Sequence, residues 1–145
     1  MKLLVQRVLE ANVKVDGKIV GSINKGFLVF LGVEKGDTTH QADFLANKLL
    51  NLRIFEDANE KMNLNIKDVA GEIMVISQFT LAADTSQGNR PGFSNAEEPE
   101  KANKMYEYFN SVLVSKGIPP QTGVFQADMK VSLINDGPAT FMLNK

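Results

Sequence analysis

The sequence predicts an α/β domain of the α+β type, in which mostly antiparallel β-sheet is covered on one side by two main helices. About seven or eight segments have the apolar pattern of strands, whereas only two follow a helical period. The strands do not alternate regularly with helices, which argues against a doubly wound parallel sheet. With 145 residues, of which 43% are hydrophobic, the chain is expected to form one domain, residues 1–145, with a substantial core.

The first half of the chain contains a hairpin, a buried strand, a helix and a second hairpin. Residues 2–23 predict two strands joined at Asp16-Gly17, a favoured hairpin turn. "GFLVFLGV" is a nearly continuous apolar run, as in a buried strand. In "DTTHQADFLANKLLNLRIF" the period becomes helical, and Thr38 and Gln41 are placed to form a capping box. "IFEDANEKMNLNI" then predicts a short strand, a polar turn and a returning strand.

The second half contains a strong strand, a long loop, the second helix and the last strands. "GEIMVISQFTL" predicts a strand from about Glu72 to Leu81, and "AADTSQGNRPGFSNAEE" predicts a long ordered loop of the kind that often carries function. The second helix starts near Pro99 and ends at Gly117. "TGVF", "MKVSLIN" and "ATFML" predict two or three further strands. The apolar stripe of the second helix is expected to be core packing, and consists of Ala102, Met105, Tyr106, Phe109, Val112 and Leu113.

The composition excludes several kinds of chemistry. The chain has no cysteine, and therefore no thiol nucleophile and no thiolate metal site. Its only histidine, His40, follows a predicted helix start and is expected to be solvated, so a Ser-His-Asp triad or a histidine-rich zinc site has little support. Any hydrolytic chemistry must therefore depend on hydroxyls, backbone N–H groups, carboxylates or the substrate itself.

Charge and hydropathy limit which nucleic-acid or membrane partners are expected. A net charge of −1 does not indicate a protein that coats nucleic acid, so any RNA contact is expected to be local, such as an RNA end. No apolar run is long enough for a membrane span, and the N-terminus "MKLLVQRVLE" is not a convincing signal peptide. We therefore expect no membrane partner and a cytoplasmic location.

Two polar segments stand where chemistry is plausible. If "SQFTL" continues a strand, Gln78 and Thr80 share one face and Ser77 and Phe79 the other, which indicates either the edge of a site or a strand end that turns polar at solvent. In "GNRPGF", Arg90 is either a bidentate phosphate ligand or a solvated surface group.

The stretch "VSLINDGPATFML" contains a strand-like pattern broken by Gly137-Pro138. Proline has no N–H for the ladder, so the pairing must be interrupted there. The pattern permits either a hairpin turn between two strands or a cis proline with a dedicated role. The residues alone do not choose between them.

Together these segments resemble the D-aminoacyl-tRNA deacylases. The quoted motifs occur in the family's order over essentially the whole chain, and the pairing of "SQFTL" with a later "NDGPAT" is highly specific. The resemblance implies a homodimeric enzyme without metal or other cofactor. This enzyme would hydrolyse the ester that joins a D-amino acid, or mischarged glycine, to the 3′ end of tRNA. The supporting segments are "LLVQRV", "NLRIFED", "SQFTLAADT", "GNRPGFSNA" and "TGVFQADMKVSLINDGPAT".

The resemblance also implies roles for individual residues. Gly137 and Pro138 would form a cis pair that enters the partner subunit's active site as a chiral filter, and Arg7 would brace it. Main-chain oxygens near Gly137 would hold the substrate's amine. A clash with this rigid turn would exclude L-aminoacyl esters.

A second group of residues would surround the reacting ester. The N–H groups of Phe79 and Thr80 would stabilise the oxyanion, Thr80 would position rather than attack, and the terminal ribose 2′-OH would assist. Phe125 and Met129 match positions that line the pocket for the terminal adenosine. The catalytic segment in this interpretation is Ser77, Gln78, Phe79 and Thr80.

One departure and two alternatives accompany this interpretation. The family usually has "RPSF" where this chain has Gly92 in place of the serine, which puts any serine role in doubt. One alternative is a dimeric binder of RNA ends without turnover. The other is a carboxylate-based metal hydrolase that uses Asp84 and Asp128.

Overall fold

A computed structural model describes all residues, 1–145. It contains eight strands, two α-helices and one short 3₁₀ helix. In chain order these are β1 (Lys2–Val15), β2 (Lys18–Ile23), β3 (Gly26–Gly32), α1 (Thr39–Leu50), β4 (Phe55–Glu56), β5 (Met62–Leu64), β6 (Glu72–Ser77), the 3₁₀ helix (Phe79–Ala82), α2 (Pro99–Ser115), β7 (Gln121–Thr122) and β8 (Lys130–Asn144).

The main sheet is built around β1. One edge of β1 pairs antiparallel with β3 and then with β2, and β8 pairs antiparallel with β1 along the other edge. Beyond β3 the order continues through β6 and β7, both paired in parallel. β4 and β5 form a separate two-stranded sheet. The mixed α+β class with mostly antiparallel pairing is confirmed.

Local sequence signals explain the early elements. Asp16 and Gly17 both have positive φ, 49° and 76°, as a tight type I′ hairpin turn between β1 and β2 requires. The predicted capping box starts α1, because the Gln41 side chain accepts the Thr38 N–H at 3.0 Å. These two signals therefore fix one turn and one helix start as predicted.

The core lies mainly between the sheet and the two helices. Successive residues of β3 and β6 alternate between a cluster of 21 buried residues and a smaller cluster of seven, so the clusters lie on opposite faces of the sheet. Both helices contribute only to the larger cluster. The apolar stripe of α2 packs there as predicted, with Ala102, Tyr106, Phe109 and Leu113 buried and Met105 and Val112 half-buried. No helix is long and apolar enough to cross a membrane.

The strand predicted to reach Leu81 ends at Ser77 instead. The Gln78 N–H still donates to the Leu31 carbonyl at 2.7 Å, but β3 ends at Gly32, so the ladder has no further partner. The chain then tightens into the 3₁₀ helix, in which the Leu81 N–H donates to the Gln78 carbonyl at 3.2 Å. Gly32 permits this approach, because a Cβ there would lie 2.9 Å from the Leu81 Cβ.

The C-terminal strands also differ from prediction. At the "TGVF" region only Gln121–Thr122 is strand, paired with Met74 and Val75 of β6. "MKVSLIN" and "ATFML" form one strand, β8, rather than a hairpin, because both halves pair with β1. Between the pairs Val8–Asn135 and Gln6–Thr140, residues 136–139 form a bulge opposite Arg7. The Gly137–Pro138 peptide bond within it is cis.

Candidate active site

A small cavity of about 70 Å³ lies where β3 and β6 end. The end of β6 and the start of the 3₁₀ helix contribute Ser77, Gln78 and Phe79. The rest of the wall comes from β3, α2 and the segment after β7, as Leu31, Val33, Ala102, Tyr106, Phe125 and Gln126. Two larger cavities, of about 500 and 360 Å³, contain none of the sequence-predicted site residues. The small cavity is therefore the candidate site.

The 3₁₀ helix begins at this cavity with Phe79 and has unused hydrogen-bond donors, whereas Thr80, the next residue, is not part of the cavity wall. The N–H groups of Phe79 and Thr80 have no acceptor within the chain, because the first internal bond of this helix is donated by a later residue, Leu81. The Gln78 side-chain amide donates to the Thr80 hydroxyl. Gln78 and Thr80 were expected to share one face of a strand. They do meet, but through a helical turn.

Tyr106 forms part of the cavity wall and is also core. Its hydroxyl donates to the Val75 carbonyl at 2.8 Å, and burial raises the pKa of Tyr106 above its ordinary value. The group is therefore a neutral donor rather than a base. The sequence pattern predicted only core packing for Tyr106, because an apolar helical stripe looks the same whether it packs in the core or forms a cavity wall.

The segment after β7 supplies one of the two residues expected around an adenosine. Phe125 borders the cavity, with its ring centroid 6.1 Å from that of Tyr106. Met129 does not border it, and packs instead against the smaller core cluster. The neighbouring Gln126, which has a positive φ of 63°, does line the cavity. Its position beside Phe125 was the only sequence signal for it.

The buried side chain of Arg7 binds the bulge of β8. Its side chain is only 3% exposed, and its Nε donates to the Asp136 carbonyl at 3.1 Å and lies 3.0 Å from the Asp136 carboxylate. The other guanidinium nitrogens donate to the Gly137 carbonyl at 3.4 Å and to the Ile54 carbonyl. Gly137 and Pro138 are exposed. Arg7, Gly137 and Pro138 contribute nothing to the cavity wall of their own chain.

The long loop after the 3₁₀ helix is closed at its base. Asp84 and Gly92 exchange two backbone hydrogen bonds, of 2.8 and 2.9 Å. Hydrogen bonds from Ser86 hold the pKa of Asp84 below its ordinary value. At Gly92 a Cβ would meet no atom nearer than 3.8 Å, so the backbone would accept the family's serine unchanged. The next residue, Phe93, packs against Phe79 with ring centroids 5.1 Å apart.

The two carboxylates of the metal-hydrolase alternative, Asp84 and Asp128, are each bound to another group of the chain. The Asp84 carboxylate accepts the Ser86 N–H at 2.9 Å, and Asp128 pairs with Lys130 at 2.7 Å. No three histidine or acidic side chains cluster in an arrangement suited to a metal ion. His40 is exposed in the first turn of α1, as expected.

Comparison with known proteins relates this arrangement to one family. The family model described as D-Tyr-tRNA(Tyr) deacylase matches residues 4–144. A D-aminoacyl-tRNA deacylase of Geotalea daltonii is 62% identical over 99% of this chain and 95% of its own.

Two solved structures have the same fold. One, titled c-Myc DNA Unwinding Element Binding Protein, has a TM-score of 0.95 at 38% identity, covering 100% of this chain and 99% of that one. The other, titled as a structural analysis of a probable eukaryotic D-amino acid tRNA deacylase, has a TM-score of 0.84 at 16% identity. It covers 99% of this chain and 98% of its own, and supports the fold alone.

Proposed function

This chain belongs to the D-Tyr-tRNA(Tyr) deacylase family and is a D-aminoacyl-tRNA deacylase, and from this premise we propose how its residues select and cleave the ester. The observation that carries the proposal is the cavity bordered by Ser77, Gln78 and Phe79, beside which two backbone N–H groups lack acceptors. Hydrolysis at this site, as proposed, uses no further catalytic side chain.

The free N–H groups of Phe79 and Thr80 form the oxyanion hole. As water adds to the ester carbonyl, negative charge develops on the carbonyl oxygen, and these donors stabilise it. One such donor typically contributes about 10²–10³-fold in rate. The Gln78–Thr80 hydrogen bond fixes the backbone that presents them. Thr80 therefore positions the donors, and its hydroxyl is not the nucleophile.

The terminal ribose supplies a hydroxyl group that takes the place of a catalytic side chain of the protein. No histidine or thiol borders the cavity, and Tyr106 remains a neutral donor to Val75. The neighbouring 2′-OH of the substrate assists the attacking water and the departing 3′ oxygen. The products are a free D-amino acid and tRNA. Phe125 stacks on the terminal adenosine, and Met129 supports this segment from behind.

Chiral selection uses a second copy of the chain. In a homodimer, Gly137 and Pro138 of one protomer enter the cavity of the other, where their atoms occupy the space of an L side chain. This rejects L-aminoacyl esters by clash, while D-amino acids and glycine fit. Support comes from the exposure of the turn, its separation from its own cavity and its attachment to Arg7. Carbonyl oxygens near Gly137 hold the amine.

The partner and the location follow from the same substrate. The enzyme contacts the acceptor 3′ end of aminoacyl-tRNA, and such a local contact matches a chain of net charge −1. Aminoacyl-tRNA is consumed in the cytoplasm, and we place this proofreading activity there.

The test is deacylation of matched D- and L-tyrosyl-tRNA by the purified protein, with a chelator present. We expect rapid release of D-tyrosine and of glycine from glycyl-tRNA, with L-tyrosine spared. Equal release of D- and L-tyrosine would contradict the filter. Loss of activity in the chelator would favour the metal hydrolase, and tight binding of the tRNA end without release would favour the binding module.

A further inference from the structure

We propose that Phe79 and Phe93, here called the aromatic pair, form a stacking site for an unpaired base of the tRNA 3′ end that precedes the aminoacylated adenosine. This inference rests on the proposed function. It adds a subsite outside the ester-binding cavity and assigns a role to the loop residue Phe93.

The aromatic pair is exposed although both rings are large and apolar. Phe79 is 57% exposed and Phe93 is 41% exposed, and their ring centroids lie 5.1 Å apart with an interplanar angle of 57°. Neither belongs to a core cluster. Exposed aromatic faces of this kind are binding surfaces for the flat faces of unstacked bases, which single-stranded RNA presents.

The pair begins at the wall of the cavity and extends away from it. Phe79 borders the cavity, whereas Phe93 does not and packs against Phe79. A nucleotide chain whose ester carbonyl lies at the Phe79 and Thr80 N–H groups must leave the cavity along some part of its rim. The aromatic pair provides an apolar surface that adjoins this rim at Phe79.

The backbone holds Phe93 in place before any substrate arrives. It directly follows Gly92, whose two hydrogen bonds with Asp84 close the loop. The Ala96 N–H donates to the Phe93 carbonyl at 3.1 Å, which fixes the other side. Because the backbone is held on both sides of Phe93, little backbone freedom is lost when a base stacks on its ring.

The loop carries one exposed cation, Arg90, of the kind that binds phosphate. Arg90 is exposed within the closed loop, two residues before Gly92, and has no ion-pair partner in the chain. A free guanidinium in the same closed loop as one of the stacking aromatics is suited to the phosphate of a nucleotide whose base stacks there. This chemistry favours single-stranded nucleic acid over an apolar protein surface as the occupant.

The experiment compares two substrates that differ only in the nucleotides before the adenosine. D-Tyrosyl-tRNA carries them, whereas the D-tyrosyl ester of adenosine does not. We expect Phe93→Ala to raise KM for D-tyrosyl-tRNA about tenfold, as the loss of one stacked base implies, and to leave kcat/KM for the adenosine ester unchanged. Phe93→Trp, which keeps an aromatic face, should retain most of the wild-type KM.

Two further variants separate stacking from packing and from general exposure. Phe93→Leu keeps apolar bulk without an aromatic face, and should lose tRNA affinity as Phe93→Ala does. Phe44→Ala is the matched control, because Phe44 is 43% exposed on α1, outside the site. It should change neither substrate's KM.

Three results for Phe93→Ala would overturn the inference alone. An unchanged KM in Phe93→Ala would remove the stacking role, and an equal loss on both substrates would show that Phe93 supports the cavity instead. A lower molar mass of Phe93→Ala would assign the aromatic pair to an interface between copies. If the wild-type protein hydrolyses neither ester, the proposed function and this inference fail together.

Discussion

Among single residues, Gln78 has the sharpest consequence for rate. Its amide donates to the Thr80 hydroxyl, and both residues adjoin the free N–H groups. Gln78→Ala removes a hydrogen bond with a net value of about 1 kcal/mol, so kcat should fall roughly fivefold with little change in KM. Steady-state deacylation of D-tyrosyl-tRNA measures this. Gln87→Ala, in the exposed loop, is the control. A rise in KM at constant kcat would contradict the positioning role.

Tyr106 links the cavity to stability at high pH. Burial raises its pKa above the ordinary 10.0, so above about pH 10 the unfolded chain releases the phenolic proton before the folded chain does. The folded state then holds more protons, and stability decreases as pH rises.

Substitution separates this effect from other groups. Tyr106→Phe should cost about 1 kcal/mol at neutral pH, because the Val75 carbonyl loses its donor. It should also lose stability less steeply than wild type above pH 10. Urea unfolding between pH 7 and 11 measures both effects. Parallel curves for the two proteins would show that Tyr106 ionises normally.

The sequence could predict those site residues whose type is unusual at their position in a strand or that belong to a family motif. Polar residues at the end of an apolar strand identified Ser77 and Gln78, and the family motif identified Phe125. Leu31 and Tyr106 could not be found in this way. Their apolar character fits the core equally well, and only the end of β3 leaves a cavity beside them.

At the level of elements, the bulge of β8 depends on Arg7. The buried guanidinium binds three carbonyls and the Asp136 carboxylate. Arg7→Ala leaves these groups without their donor and should destabilise the protein by about 3–5 kcal/mol. Arg7→Lys keeps the charge but not the fork, and should also be destabilised.

Measurements of chemical denaturation and of chiral selectivity together test the role of Arg7. The matched control is Arg53→Lys, because Arg53 is exposed and donates to a single carbonyl, that of Asn63. We expect the stable fraction of Arg7→Lys to hydrolyse L-tyrosyl-tRNA faster than wild type does. Unchanged selectivity in a destabilised Arg7→Lys would limit Arg7 to stability.

Sequence patterns placed nearly every element and misplaced some ends, for a physical reason. The hairpin at Asp16-Gly17 and the cap at Thr38 are local signals, and both are present. The end of β6 at Ser77 depends on where β3 ends, and the continuity of β8 depends on two separate stretches of β1. Such information lies in partner strands, so no local pattern contains it.

For the whole molecule, the proposed dimer predicts an interaction between two defective variants. Replacing both Gly137 and Pro138 by alanine should permit hydrolysis of L-tyrosyl-tRNA. When this variant exchanges subunits with excess Gln78→Ala protein, its intact cavities receive an intact turn from the partner. L-Tyrosine release should therefore fall, while D-tyrosine release persists.

Molar mass and mixing give the controls. Light scattering should report twice the 16.0 kDa of one chain for the wild type. Bovine serum albumin in place of the Gln78→Ala protein should leave L-tyrosine release unchanged. Additive activities after subunit exchange would show that each chain completes its own site.

The pairing of β1 with β8 also has a consequence for synthesis on the ribosome. β1 is translated first, yet one of its edges is covered only by β8, and Arg7 binds carbonyls of residues 136 and 137. A nascent chain therefore carries an open strand edge and a guanidinium without these acceptors until β8 has been translated. Such non-local pairing forms late. The enzyme that corrects charged tRNA thus covers the edge of its own β1 only after the codons of β8 have been read.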